Sequence, residues 1–513
     1  MDNNYLNKMN SMKFKSIIFL FLSTILLMGC DNEELNLKRP SRPSIDGIEV
    51  EKGMNLVGMV KNDSDEPVEG VVVSDGYSVT VTDAKGVYQM KTGDKSRFVF
   101  VSVPADFQIP MENGHPKIYQ ALPEKITNVE RKDFSLKKQE KVTQFRLLAM
   151  ADVQIGQDKE LQWLRNDEMP EIVKYAETLK KDQPLYGISL GDLVWDNMPF
   201  FKEYATETAR LNIPVFHVIG NHDHDRTVLG NDDGASHHFE ANFGPTYYSY
   251  NIGEVHFVVL DDVDYAAGDN YAARITQNQL DWLEKDLAHV SKDKLIMLGV
   301  HIPILRRFNN SGVENRQALY DILEGYNVRI MSGHRHNNST ATINSKIEEN
   351  NLGAVMGAFW NDPCNDGSPR GYAVYEINGN KIENWYYKGT KTDKDYQLKL
   401  YGLGESTLPY RQDGVIINVF NWHTSWTLNV YENEILKKTF GTSENLKNPF
   451  ELDWLAYNLY FGDNLPVHRP SAEPEFNNDH MFYYKPTATT GITVKVEAQD
   501  PYGNTYTESI ELK

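Results

Sequence analysis

Five apolar runs in the middle of this chain each end on Asp, Asn or His, and that regularity restricts the fold more than any other feature. Residues 145–150 run into Asp152 and Gln154, and residues 185–190 into Asp192. Residues 213–219 lead to Asn221, His222 and Asp223, residues 295–300 to His301, and residues 328–332 to His334 and His336. A run of this length, mostly apolar, is the pattern of a strand buried on both faces, as in the sheets of layered α/β folds. Helical spacing follows the first run, at Leu161, Leu164, Ile172, Tyr175 and Leu179. Residues 279–287 and 317–323 also read as amphipathic helices. Strand and helix in alternation predict an α/β layered core over residues 143–387, its sheets sandwiched by helices.

In such folds the ligand crevice lies beyond the carboxyl ends of the strands, so the five polar termini are expected to converge. Gly191, Gly220 and Gly333 stand among them, where a tight turn or a close backbone approach is needed. Carboxylate, amide and imidazole together suit divalent ions such as Mn, Fe, Zn or Mg rather than a thiolate site. Any one of these motifs alone would be ordinary. Five in one order, each after a strand pattern, specify a site.

The flanks follow a different rhythm. Residues 47–138 carry short β-branched runs broken by Gly, Pro and Asp, which predicts a small all-β sandwich. Its phrasing, Pro67-Val68-Glu69-Gly70-Val71 and then Thr82-Asp83 with Gly86 and Tyr88, resembles the carboxypeptidase-regulatory-like sandwich. Residues 396–513 return to strands at 415–420, 427–431, 492–498 and 506–510, predicting a second sandwich. A chain of 513 residues exceeds one core, so three folded units are in keeping with its length. The net charge of −20 argues against nucleic acid as a partner.

The N-terminus reads as an export signal. Lys8, Lys13 and Lys15 precede the apolar run 17–28, too short to span a membrane comfortably, and then come Gly29 and Cys30. This resembles a bacterial lipobox, which implies residues 1–30 as a lipoprotein signal peptide and Cys30 as the acylated residue. Residues 31–46, with Pro40 and Pro43, read as a tether. The expected location is the cell envelope, as an outer-membrane lipoprotein facing the periplasm or the cell surface. With Cys30 acylated, Cys364 has no partner for an internal disulfide.

The order of the five motifs resembles the calcineurin-like metallophosphoesterase superfamily, in a bacterial subgroup with sandwich modules before and after the catalytic domain. The resemblance implies metal-dependent hydrolysis of phosphate esters by a water activated between two divalent ions, with a phosphorylated small molecule or glycan as substrate. It implies Asp192 as the bridging ligand, Asp152 and His336 on one metal, and Asn221, His301 and His334 on the other. His222 is then the acid or the donor to the phosphoryl group. Gln154 stands where the family usually has His, and is expected to be a weak ligand. The alternative is a surface lipoprotein that binds ligands or glycans around a degenerate metal site.

Further residues are placed by the same reasoning. Arg370 and Asp362, in the loop 359–372, are expected to bind substrate, Arg370 by forking onto phosphate oxygens. Asp196 either orients a ligand or caps the next helix. Asp223 shapes its own turn, and His217 is a packed histidine. His224, His237 and His238 are expected on the loop surface. Asp261 and Asp262 end another strand run and either face the crevice or do not. Trp422, Trp426, Trp454, Tyr457 and Tyr460 are expected to pack a core rather than to stack sugars.

Overall fold

The computed structural model describes residues 44–265, 270–306, 310–357, 363–405, 412–440 and 480–513. Cys30, the signal segment, Asp362, Trp454, Tyr457 and Tyr460 therefore lie outside the described residues.

The central domain is built on two sheets. In the first, β1 (Gln144–Met150), β2 (Leu185–Leu190) and β3 (Val215–Val218) are parallel, in the order β3-β2-β1. The second contains β4 (Tyr248–Ile252), β5 (Val255–Val259), β6 (Leu295–Gly299), β7 (Asn327–Ser332), β8 (Ser339–Thr342) and β9 (Ile347–Asn351), in the order β4-β5-β6-β7-β9-β8. Two further strands, β10 (Gly371–Asn378) and β11 (Lys381–Gly389), return antiparallel beside β1 and complete the first sheet.

The apolar runs are continuous because both faces of these strands are covered. Phe145, Leu147 and Ala149 of β1 join the core between the sheets, while Leu148 and Met150 face a second core. That second core takes Ile172 and Ala176 from the helix Met169–Leu179. The sheets meet closely: Phe216 of β3 stacks on Tyr250 of β4 at 3.5 Å, and a Cβ on Gly299 would stand 2.7 Å from Ile188 Cδ1. On the far side, the helix Gln277–Leu287 buries Leu280, Trp282, Leu283 and Leu287 in the same core.

The flanking units are sandwiches. The N-terminal unit pairs two four-stranded sheets and the C-terminal unit pairs a three-stranded sheet with a four-stranded one. In the latter, Trp422 and Trp426 are buried in the core, which leaves neither as a stacking platform. Helical spacing after β1 is interrupted once. Between Asp158–Trp163 and Met169–Leu179 the chain forms a π-helical segment, Leu164–Glu168, that turns Glu168 inward. Such segments recur at functional and packing irregularities because an extra residue must be absorbed within one turn.

Candidate active site

All five polar termini lie at the carboxyl ends of their strands, and the structure gathers them. Asp152 follows β1, Asp192 follows β2, Asn221 and His222 follow β3, His301 follows β6, and His334 and His336 follow β7. Backbone bonds lace these loops together: Gln154 N donates to Asp192 O at 2.9 Å, and Gly333 N to His301 O at 2.9 Å. Close approach demands glycine here. A Cβ on Gly220 would sit 2.3 Å from Asp192 Oδ1, and one on Gly333 2.6 Å from Asp152 Oδ2.

The backbone is strained where it carries these groups. Asp152, Gln154, Asp192, His334 and His336 all have positive φ, between 52° for Asp152 and 70° for His334. Left-handed conformations cost non-glycine residues about 1–3 kcal/mol each and persist only when the surroundings enforce them. Here the enforcement is a hydrogen-bond network.

One cluster of donors is tight. Asn221 Oδ1 lies 3.1 Å from His301 Nε2 and 2.9 Å from His334 Nδ1, the two ring nitrogens are 3.3 Å apart, and His301 Nε2 is 3.2 Å from Asp192 Oδ1. Asp192, His301 and His334 offer ligand atoms that all fall within 4.8 Å of one another. Such spacings are the edge lengths expected when each atom stands about 2.0–2.2 Å from a single ion. His301 Nδ1 donates to Leu190 O at 2.8 Å, which leaves Nε2 facing the cluster.

A second set adjoins it. His336 Nε2 is 3.4 Å from Asp152 Oδ1, and Gln154 Nε2 donates to Asp192 Oδ2 at 2.9 Å. Asp152 also accepts from His334 N, at 2.9 Å to Oδ2. Asp192 thus touches both sets. Both carboxylates and both sets of imidazoles are buried or nearly so, and the pairing sets their charge. Burial alone would raise Asp192, but His301 and His222 hold its carboxyl well below the usual range. Burial alone would lower His301, yet the Asp192 carboxylate raises it to about 10. Burial keeps His334 well below its ordinary value, so its ring is neutral. Buried carboxylates compensated by neighbouring imidazoles, with an amide oxygen among them, fit divalent metal ions.

His222 projects at the mouth. Its Nδ1 is 2.9 Å from Asp196 Oδ1, its ring stacks on Trp195 at 3.6 Å, and its backbone N donates to Asp192 Oδ1 at 2.9 Å. Asp196 takes a second contact from Arg226 Nη1 at 3.0 Å. Burial opposes ionisation of Asp196, but the bonds from His222 and Arg226 hold its carboxyl below the usual range. Asp196 therefore orients His222; the short helix Met198–Phe200 has Asn197 at its N-cap instead. Asp223 shapes its turn as expected, accepting from Leu193 N, Val194 N and Gly220 N. His217 is packed against Phe243 at 4.3 Å.

Two expectations are corrected and one open question is decided. Arg370 does not reach for substrate: it is 2% exposed, pairs with Glu168 at 3.0 Å and stacks on Trp163 at 4.3 Å. The π-helical segment that turns Glu168 inward lies far from Arg370 in sequence, so no local signal reveals the pair. His224 is not on the surface but fully buried, whereas His237 and His238 are exposed. Asp262 lies behind the cleft rather than in it. It accepts from His301 N at 3.1 Å and Ile302 N at 3.0 Å, and so fixes the turn that carries His301. Tyr265, which sequence reasoning missed, donates to Asn221 O at 2.8 Å. A tyrosine close after the Asp261-Asp262 pair is its only local hint.

Three family models match successive parts of the chain: the N terminal of calcineurin-like phosphoesterase over residues 54–139, calcineurin-like phosphoesterase over 145–338, and the C terminal of calcineurin-like phosphoesterase over 349–506. The chain is a calcineurin-like phosphoesterase. That family works with dinuclear divalent-metal centres, and the donor set here fits one. The C-terminal model begins inside β9, so this family's C-terminal region supplies β10 and β11 to the catalytic sheet before forming its sandwich.

Among relatives of this phosphoesterase, a probable cyclic nucleotide phosphodiesterase of Rhodococcus erythropolis is 30% identical over 143 residues, covering 26% of this chain and 44% of that protein. Purple acid phosphatase 13 of Arabidopsis thaliana is 32% identical over 108 residues, covering 20% of this chain and 18% of that protein. The phosphoesterase thus spans less than half the length of either curated relative. A dimetal phosphatase from Danio rerio aligns with 48% of this chain and 95% of its own, at 16% identity and a TM-score of 0.35. Purple acid phosphatase PPD1 from yellow lupin aligns with 63% and 67%, at 13% identity and a TM-score of 0.36.

Proposed function

We propose that this phosphoesterase hydrolyses phosphate esters at a two-metal centre held by Asp152, Gln154, Asp192, Asn221, His301, His334 and His336, with His222 acting on the substrate. The observation that carries this is the convergence of those side chains, with Asp192 touching both sets. Bound divalent ions supply charge to the phosphoryl oxygens and make a water acidic enough to serve as nucleophile near neutral pH. The protein's own groups do the rest. Asn221, His301 and His334 hold one set of donors at mutual distances near 3 Å. Asp262 fixes the His301 turn, and Tyr265 fixes the backbone of Asn221. Asp196 accepts from His222 Nδ1, so Nε2 is the atom left for the substrate, donating to a phosphoryl oxygen or to the leaving oxygen. Stacking on Trp195 keeps the ring in that plane.

The site of action we propose is outside the cytoplasm, on a lipid attached to Cys30. The support is the residue order from Lys8 to Cys30.

The test is hydrolysis of p-nitrophenyl phosphate and of its bis-ester by protein stripped of metal and reloaded with Mn²⁺, Fe²⁺, Zn²⁺ or Mg²⁺. Turnover restored by at least one ion, and reduced about a hundredfold or more in His222→Ala, is expected. Protein that binds at least two ions per chain yet turns over neither substrate with any of them overturns the hydrolytic reading.

A further inference from the structure

His224 is held in an arrangement that a neutral histidine does not satisfy. Its ring is fully buried, and Nδ1 lies 2.9 Å from Gly220 O. A carbonyl only accepts, so Nδ1 carries the hydrogen and donates. In the neutral ring Nε2 is then a bare lone pair. That nitrogen has no hydrogen-bond partner, and the groups facing it are two carboxylates: Asp232 Oδ1 and Asp261 Oδ2, each 3.9 Å away. A lone pair aimed at two carboxylate oxygens across a gap too wide for a hydrogen bond is repulsive unless something positive stands between them.

A proton on the ring is a poor candidate. Burial pushes the His224 imidazole down to about 4, so the ring is neutral at physiological pH. Burial likewise raises Asp232 to about 6, against partial compensation from Arg97, and raises Asp261 well above the usual carboxylate range.

We propose that His224 Nε2, Asp232 and Asp261 form a third divalent-cation site, separate from the catalytic pair. The chemistry of the donors is that of Mn²⁺, Fe²⁺ or Zn²⁺: one imidazole and two carboxylates. The outer contacts match those of a built metal site. The imidazole donates its other N–H to a backbone carbonyl, Asp232 Oδ1 accepts from Tyr265 N at 2.9 Å, and Asp261 Oδ1 accepts from Val263 N at 3.1 Å. The 3.9 Å from Nε2 to each oxygen is within the sum of two bonds of about 2.0–2.2 Å. An entry path exists. Asp232 and Asp261 both line a cavity of about 380 Å³ between the N-terminal sandwich and the catalytic domain, whose wall also carries Asp75, Asp233, Glu240 and Asp264 alongside Lys95 and Arg97. The site abuts the catalytic centre through two bonds: Gly220 precedes Asn221, and Tyr265 holds Asn221 O.

The test counts metal in the full chain. Protein is stripped with a chelator, incubated with Mn²⁺ and desalted, and its manganese is measured. To set the catalytic pair aside, the same count is made in an Asp192→Asn, His334→Ala background. Wild type is expected to hold about three ions and the background variant one. That one is lost on adding Asp232→Asn, which keeps an acceptor for Tyr265 N and so preserves the fold, and on adding His224→Gln. Mn²⁺ should raise the melting temperature of the background variant, and Asp232→Asn should abolish that rise. Manganese retained at one ion per chain in both triple variants overturns the proposal. So does a folded background variant that binds none.

Discussion

The two flanking sandwiches are attached to the catalytic domain in opposite ways. The N-terminal one shares its core. Val71, Val73 and Phe100 belong to the same apolar cluster as the sheet residues Phe257 and Met297. Trp282, on the helix Gln277–Leu287, pins the two together. It packs edge-on against Phe100 at 6.0 Å and donates through Nε1 to Ser74 Oγ at 3.0 Å. The C-terminal sandwich keeps its own core around Ile417, Val430 and Val496, and among the described residues it lends the catalytic core only Tyr502. Its grip is polar. His480 Nε2 lies 3.1 Å from Asp366 Oδ2, and Asn418 Nδ2 donates to Asp366 O at 3.2 Å.

The difference lies in what each attachment reaches. The N-terminal contacts end on the helix and strands of the second sheet and, through Arg97 and His115, on the helices that follow β3 and β2. The C-terminal contacts end on the loop that carries two ligand candidates: Asp366 Oδ2 accepts from Asn338 N at 2.6 Å, and Asn365 N donates to His336 O at 2.8 Å. One module is an extension of the core, and the other buttresses the active-site loop.

The largest effect that sharpens this contrast is expected from Trp282→Ala. Removing a buried tryptophan at a shared core costs about 3–5 kcal/mol. Calorimetry should show one transition moved down as a unit; a melt that splits in two would break the idea of a shared core. A smaller effect is expected from His480→Ala. It should weaken Mn²⁺ binding about tenfold, the range seen when groups that orient ligands are removed. Activity titrated against Mn²⁺ checks this. An unchanged midpoint alongside a large loss of stability would make the C-terminal module a structural extension like the other.

The smallest effect concerns pH at the N-terminal junction, where Arg97 Nη2 pairs with Glu240 at 2.6 Å. Burial outweighs that pairing and raises Glu240 to about 8. Its folded form therefore binds more protons than its unfolded form between the ordinary carboxylate range and about pH 8, so stability falls as pH rises through that window. Glu240→Gln should flatten the decline in melting temperature from about pH 5 to about pH 8. An identical slope in both proteins would show that the junction does not titrate.

Much of this was legible in the sequence. Strands β1, β2, β3, β6 and β7 are largely buried on both faces and so are mostly apolar, and their polar ends stood out. β9 was not legible, because Glu349, Asn350 and Asn351 are polar yet buried. They are tolerated through long-range bonds: Glu349 accepts from Ile304 N, Leu305 N and Ser332 Oγ. The ligand candidates were legible because each closes a strand. The groups that orient them, Asp262 and Tyr265, were not singled out in those roles, since orientation depends on which loops meet. His224 and Arg370 were misplaced for the same reason: their partners are set by the fold and carry no periodic signal.

The left-handed backbone at Asp152, Gln154, Asp192, His334 and His336 also bears on how such a chain can change over time. These are positions where glycine or asparagine would be more comfortable and where the chemistry forbids them. Relaxing one such position returns on the order of 1–3 kcal/mol, set against the buried bonds that its side chain makes. The strain is held in place by those bonds: Asp192→Gly relaxes φ but leaves His222 N and Gln154 Nε2 without their acceptor, and should melt lower than wild type when both are stripped of metal.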